Sequence, residues 1–187
     1  LSPPDARERA AALIRQSPNT TLTEREAKAA LAIYGVPVTD EHLVQDADAA
    51  VEAATRLGYP VAMKVESPDI AHKTEAGVIR LDLRTEADVR AAYEVVMTHA
   101  LQNARKERIN GVLIQPMAPK GIEIMVGGRT NEQFGAQIVV GLGGVMVELM
   151  NDTALELAPV TSSEAGRMLS RLKGRKALEG FRGMAPV

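Results

Sequence analysis

Apolar and polar positions alternate along this chain with two different periods, and the change of period divides it. In TLTEREAKAALAIYGVPV (21–38), Ala27, Leu31 and Tyr34 recur at helical spacing. Thr23 with Glu26 has the form of a capping box, Gly35 marks a stop, and Pro37 prevents a restart. DADAAVEAATRLG (46–58) predicts a second helix, with Asp46 or Asp48 as its cap and Gly58 at its end. YPVAMKVES (59–67) and VIRLDL (78–83) read as strands on either side of the loop PDIAHKTEAG, and a longer helix follows from the Thr85 cap. INGVLIQPM (109–117) is a strand rich in branched residues that ends at a proline. Beyond it the pattern shortens: GIEIMVGG, FGAQIVVGL, VMVELM and ALELAPV predict short alternating strands separated by Gly, Asn and Asp. TSSEAGRMLSRLKG (161–174) predicts a closing helix.

This pattern gives an α/β first lobe and a β-rich second lobe, joined near QPMAPKG, in an α+β fold overall. The expected divisions are a tether at 1–21 around a short helix-like stretch, a first lobe at 22–117 and a second lobe at 118–187. With Leu rather than Met at position 1, the expectation is a piece of a longer chain.

Composition narrows the class. The 187 residues include three Tyr, two Phe and no Trp, so the core must rest on aliphatic side chains and Met. A net charge of -2 without a basic, aromatic-laced cluster argues against a nucleic-acid surface. The absence of Cys excludes disulfides, thiolate metal sites and a Cys nucleophile. No apolar run approaches the roughly 20 residues that span a bilayer, and no signal peptide is visible, so a cytoplasmic protein is expected.

The candidate chemistry begins in VAMKVESPDIAHKTEAGV (61–78). Strand alternation puts Val61, Met63 and Val65 on one face and Ala62, Lys64 and Glu66 on the other. A lysine between apolar neighbours must reach the strand edge, where Glu66 is one possible partner, or meet an anion. VAMK is similar to the phosphate-binding strand of protein kinases, but the companion kinase motifs are absent. His72 and Lys73 then stand side by side in the loop. Together with Lys64 they would concentrate positive charge, at about 4 kcal/mol per ion pair at 4 Å and an effective dielectric of 20. His72 has two readings, a solvated loop histidine or a phosphoryl-accepting nucleophile. His42 and His99 have no adjacent cation. GLGGV (141–145) is a Gly-rich turn that lacks the full phosphate-loop pattern. Glu123, Glu148 and Asp152 offer hard oxygens of the kind Mg²⁺ takes, or are solvated outer-face residues.

In order and content, LTEREAKAALAIYGVPV, LGYPVAMKVESPDIAHKTEAGV, GVLIQPM, GIEIMVGGRTNEQFG and GLGGVMVELMNDTALELAPV resemble the ATP-grasp domain of the ADP-forming acyl-CoA synthetases. The likeness runs from about Leu22 to the end, and SPDIAHKTEAG is its most specific segment. It implies an ATP-grasp fold with a nucleotide cleft between two lobes, Lys64 and its neighbour Val65 at the nucleotide, and the backbone around Gln115 and Met117 at the adenine. It implies His72, flanked by Lys73, as a phosphate-relaying histidine, Glu123 near the nucleotide, and Glu148 and Asp152 at the metal. The implied cofactors are ATP or ADP and Mg²⁺, with CoA on a separate domain. The implied partner is a CoA-binding ligase domain or subunit, within an oligomeric enzyme. The implied reaction is acyl-CoA + ADP + phosphate ⇌ acid + CoA + ATP. Members of that family continue to a D/E-x-N-P motif that supplies a metal-binding asparagine, whereas this sequence stops at GFRGMAPV. The expectation is that this fragment alone does not turn over. A regulatory module fused to a lysine acetyltransferase, and a scaffold that binds no nucleotide, are the alternatives.

Overall fold

The computed structural model describes residues 3–70, 73–119, 121–143 and 152–180. Its contacts divide the chain into two compact units, Leu1–Ala118 and Pro119–Val187.

The first unit contains α1 (Ala6–Gln16), α2 (Glu24–Ile33), β1 (His42–Val44), α3 (Ala47–Leu57), β2 (Val61–Glu66), β3 (Ile79–Leu83), α4 (Glu86–Asn103) and β4 (Gly111–Pro116). Local chemistry sets its helix starts. Thr23 and Thr85 form capping boxes with Glu26 and Asp88, and the Asp46 side chain accepts from Ala49 N–H. Within the stretch expected to be a tether, α1 buries Ala6 and Ala10, one helical turn apart. The apolar positions of α2 do not make a buried stripe: no residue of that helix is buried, and Leu31 and Tyr34 are exposed.

The four strands pair in the order β1-β4-β2-β3, and every pairing is antiparallel. Strand alternation then sorts the side chains. Val61, Met63, Val65, Val112 and Ile114 pack with Ala50, Val51 and Ala54 of α3 and Val89, Tyr93 and Val96 of α4. The opposite face carries Ala62, Lys64 and Glu66. The start of α2 docks there through complementary charges, with Glu24 on Lys64 and Arg25 on Glu66, while the Thr23 hydroxyl donates to Glu66 at 3.0 Å. Lys64 therefore lies on a central strand of the sheet.

The second unit is an antiparallel sheet in the order β5-β6-β7, built from β5 (Ile124–Asn131), β6 (Gly135–Leu142) and β7 (Thr153–Leu157). Helix α5 (Ser162–Arg171), capped by Thr161, contributes Met168 to a small core with Val140, Ala154 and Leu172. The strand expected at VMVELM lies outside the described residues. Among the described residues, no helix is long and apolar enough to cross a membrane.

Candidate functional site

Three lysines converge on one carboxylate at the start of α2. Glu24 Oε1 accepts from Lys64 and, at 3.0 Å, from Lys28, and Glu24 Oε2 accepts from Lys73 at 3.0 Å. The spacing of Glu24 and Lys28 along α2 aligns them on one helix face. Lys64 comes from the sheet and Lys73 from the loop between β2 and β3. Lys28 has a carboxylate of its own in Glu41, at 2.6 Å, and also donates to Thr39 Oγ1 at 3.0 Å and Gln115 Oε1 at 3.3 Å. Three ammonium groups face two carboxylates, so the cluster keeps a positive surplus, and the side chains of Lys64 and Lys73 are only 14% and 17% exposed.

Burial by itself would raise the Glu24 pKa. Hydrogen bonds from Lys64, Lys28 and Lys73 outweigh burial and hold it at about 2, against an ordinary 4.5. Burial would likewise lower the Lys28 ammonium, and Glu41 and Glu24 outweigh it and raise that pKa. Because the folded Glu24 pKa is depressed, its stabilising contribution is complete above the unfolded value of 4.5 and is lost as pH falls through about 2. We therefore expect the urea midpoint of the native chain to exceed that of Glu24→Gln near pH 6, by about 1–2 kcal/mol in stability, and the gap to narrow steadily by about pH 3.

Beside this cluster lies a cavity of about 330 Å³ lined by Ala62, Lys64, Thr74, Gly77, Arg80 and Gln115, among others, all from the first unit. That volume falls within the roughly 300–1,000 Å³ typical of small-molecule sites. Cross-strand register sets its floor, with Ala62 opposite Gln115 and Lys64 opposite Leu113 on one side and Ile79 on the other. Backbone bonds from Gly77 N–H to the Thr74 carbonyl and from Val78 N–H to the Lys73 carbonyl hold its loop wall, each at 3.1 Å. The Gly77 carbonyl accepts from Arg80 Nη1 and from His99 Nδ1, both at 3.0 Å. Gly77 has φ +67°, and a Cβ there would stand 2.7 Å from His99 Nδ1, so the loop seats on His99 only with glycine at this position.

The structure brings together Lys64, Lys73 and Gln115 among the residues singled out from sequence. Lys64 pairs with Glu24 rather than with Glu66. Val65 lies on the helix-covered face, fully buried, and its N–H bonds to the Val78 carbonyl at 3.1 Å. Alternation along β2 thus directs the Val65 side chain away from the lysine it follows. Met117 N–H donates to the Pro60 carbonyl at 3.2 Å. His72 and Glu148 lie outside the described residues. In the second unit, Glu123 is exposed. Asp152 is buried, and its two oxygens accept from Lys173 N–H at 2.7 Å and Gly174 N–H at 2.8 Å. These bonds hold the Asp152 pKa below the usual carboxylate range. Among the described residues no group of three His, Cys, Asp or Glu is placed to hold a metal ion.

Sequence reasoning did not pick out Glu24, Lys28, Thr74 and Arg80. The Glu24/Lys28 spacing and the Thr23 capping box were visible signals, but neither says which strand the helix start will meet.

The family model of an ATP-grasp domain matches residues 13–187. The chain is 37% identical, over 92% of its length, to the ADP-forming 4-hydroxybutyrate–CoA ligase of Nitrosopumilus maritimus, of which it spans only 25%. It is 38% identical, over 90% of its length, to the β subunit of ADP-forming acetate–CoA ligase II of Pyrococcus furiosus, of which it spans 71%. A solved acetyl-CoA synthetase 1 from Ca. Korarchaeum cryptofilum, in complex with coenzyme A and Ca-AMPCP, superposes with a TM-score of 0.89 at 36% identity, covering 96% of this chain and 79% of that one. A second structure of the same synthetase holds coenzyme A and Mg-AMPPCP, its phosphohistidine segment pointing towards the nucleotide binding site; its TM-score is 0.79 at 35% identity, covering 97% and 78%. The chain is an ATP-grasp domain of the ADP-forming acyl-CoA synthetase family.

Proposed function

We propose that the lysine-lined cavity receives the phosphates of ADP or ATP, and that the chain is the nucleotide-binding, phosphate-relay part of an ADP-forming acyl-CoA synthetase. The observation that carries this reading is Lys64, a cation on a central strand, held at the wall of a cavity of about 330 Å³ inside a cluster with surplus positive charge. A polyphosphate supplies the anion that such a cluster lacks, through charge-assisted hydrogen bonds.

In this reading His72 takes the phosphoryl group from the acyl-phosphate side of the enzyme. A nitrogen–phosphorus bond forms there as the bond from phosphorus to the acyl oxygen breaks and the carboxylate leaves. In the next step a β-phosphate oxygen of ADP attacks that phosphorus, the bond to His72 breaks, and ATP forms. Lys73, next to His72 in sequence, stabilises charge on the transferring group. The carboxylate–CoA chemistry belongs to a CoA-binding partner domain or subunit, a role supported by the ligases and synthetases to which this chain is similar. Magnesium would be bound together with the nucleotide phosphates and would neutralise part of their charge, a reading supported by the Korarchaeum synthetase structure in complex with Mg-AMPPCP.

Because phosphate contacts dominate the site, ADP is expected to bind at least about tenfold more tightly than AMP, and adenosine more weakly still, in calorimetric titrations of the chain. Equal affinity for ADP and adenosine would overturn the reading.

A further inference from the structure

Of the three lysines, Lys28 has Glu41 as a second carboxylate, whereas Lys64 and Lys73 meet one acid each among the described residues, and for both it is Glu24. The two come from separate parts of the chain, the sheet and the loop, and their like charges repel. Thr23 and Arg25 also tie the helix start to buried Glu66. Glu24 itself is 27% exposed and adds nothing to the apolar core.

We propose that Glu24 is a positioning residue of this site: its two oxygens hold the ammonium groups of Lys64 and Lys73 at one spacing, which a polyphosphate can bridge. This rests on the nucleotide reading above. Without the carboxylate, each four-carbon stem is free to swing its charge into solvent, and the nucleotide must order both lysines when it binds. Glu24 thereby couples the β2 lysine to the loop that bears His72 in sequence, and acts on the nucleotide only through its lysines.

The test is calorimetry with ADP on the native chain, Glu24→Gln, Glu24→Asp, Lys64→Ala and the Glu24→Gln/Lys64→Ala double variant, with thermal unfolding to confirm that each is folded. Acylation of Lys64 and Lys73 by acetic anhydride is followed in parallel by mass spectrometry. Glu24→Gln is expected to weaken ADP by about tenfold, with Glu24→Asp recovering part of the loss. Both lysines should be acylated faster in Glu24→Gln while lysines away from Glu24 keep their rates, a pattern that a general loss of fold stability does not produce. On the Lys64→Ala background the same change should cost clearly less than in the native chain, because only Lys73 is then left for Glu24 to position. If the native chain binds ADP and Lys64→Ala weakens it while Glu24→Gln does not, the positioning role is overturned and the nucleotide reading stands. If the native chain does not bind ADP, the nucleotide reading itself falls, and this inference falls with it.

Discussion

A complete ligase carrying His72→Ala is expected to keep exchanging acyl-CoA and phosphate for acyl phosphate while losing ADP phosphorylation by about a thousandfold or more, as removal of a covalent nucleophile does. In the proposed reading the two halves of the reaction separate, because the CoA chemistry would take place on another domain and only the relay would pass through this chain. Acid-labile radiolabel from inorganic phosphate should accordingly disappear from this domain. An imidazole lost from a solvated surface loop would have no such effect, so unchanged ATP formation in the variant would return His72 to that bland role. Lys73→Ala should show a smaller loss of the same kind, since in the proposed reading its ammonium stabilises charge rather than forming a bond.

Truncation of Lys64 is the second large effect. Lys64→Ala is expected to raise the ADP dissociation constant by roughly 10- to 100-fold, the range given by losing one charge-assisted hydrogen bond to phosphate. Two changes combine in this variant. The phosphate loses a donor, and Glu24 loses a partner in a half-buried position, which tips the local balance toward negative charge. Lys64→Met isolates the charge, because it keeps most of the apolar stem that lies beside Ala62 on the sheet. Lys64→Arg is not a conservative replacement here, since the Glu24 carboxylate already receives two other ammonium groups and a planar fork needs different geometry. Adenosine binding should change far less than ADP binding in every one of these variants.

Features written within a few residues of one another were legible in the sequence. The Thr23/Glu26 box and the Thr85 cap each join a side chain to a backbone three positions away, so reading the residues is enough to place those helix starts. The same holds for β2, whose alternation put Lys64 and Glu66 opposite Met63 and Val65. What escaped reading depends on which distant segments meet. Nothing near Glu24 announces that it will face residues 40 and 49 positions further on. Asp152 in MND looks like any acidic turn residue, and only the fold shows that two backbone N–H groups after α5 engage it. The bond from Met117 N–H to Pro60 is also unreadable from its neighbours, since it is set by where the chain enters β2. The order β1-β4-β2-β3 is likewise long-range, and it is this order that makes β2 a central strand and its lysine a half-buried one.

The most direct measurement is a crystal structure of this chain with a non-hydrolysable ATP analogue. A phosphate oxygen should lie within about 3 Å of Lys64 Nζ, inside the cavity bordered by Thr74, Gly77 and Gln115. An analogue bound elsewhere on the chain, with Lys64 still held by Glu24 alone, would contradict the account.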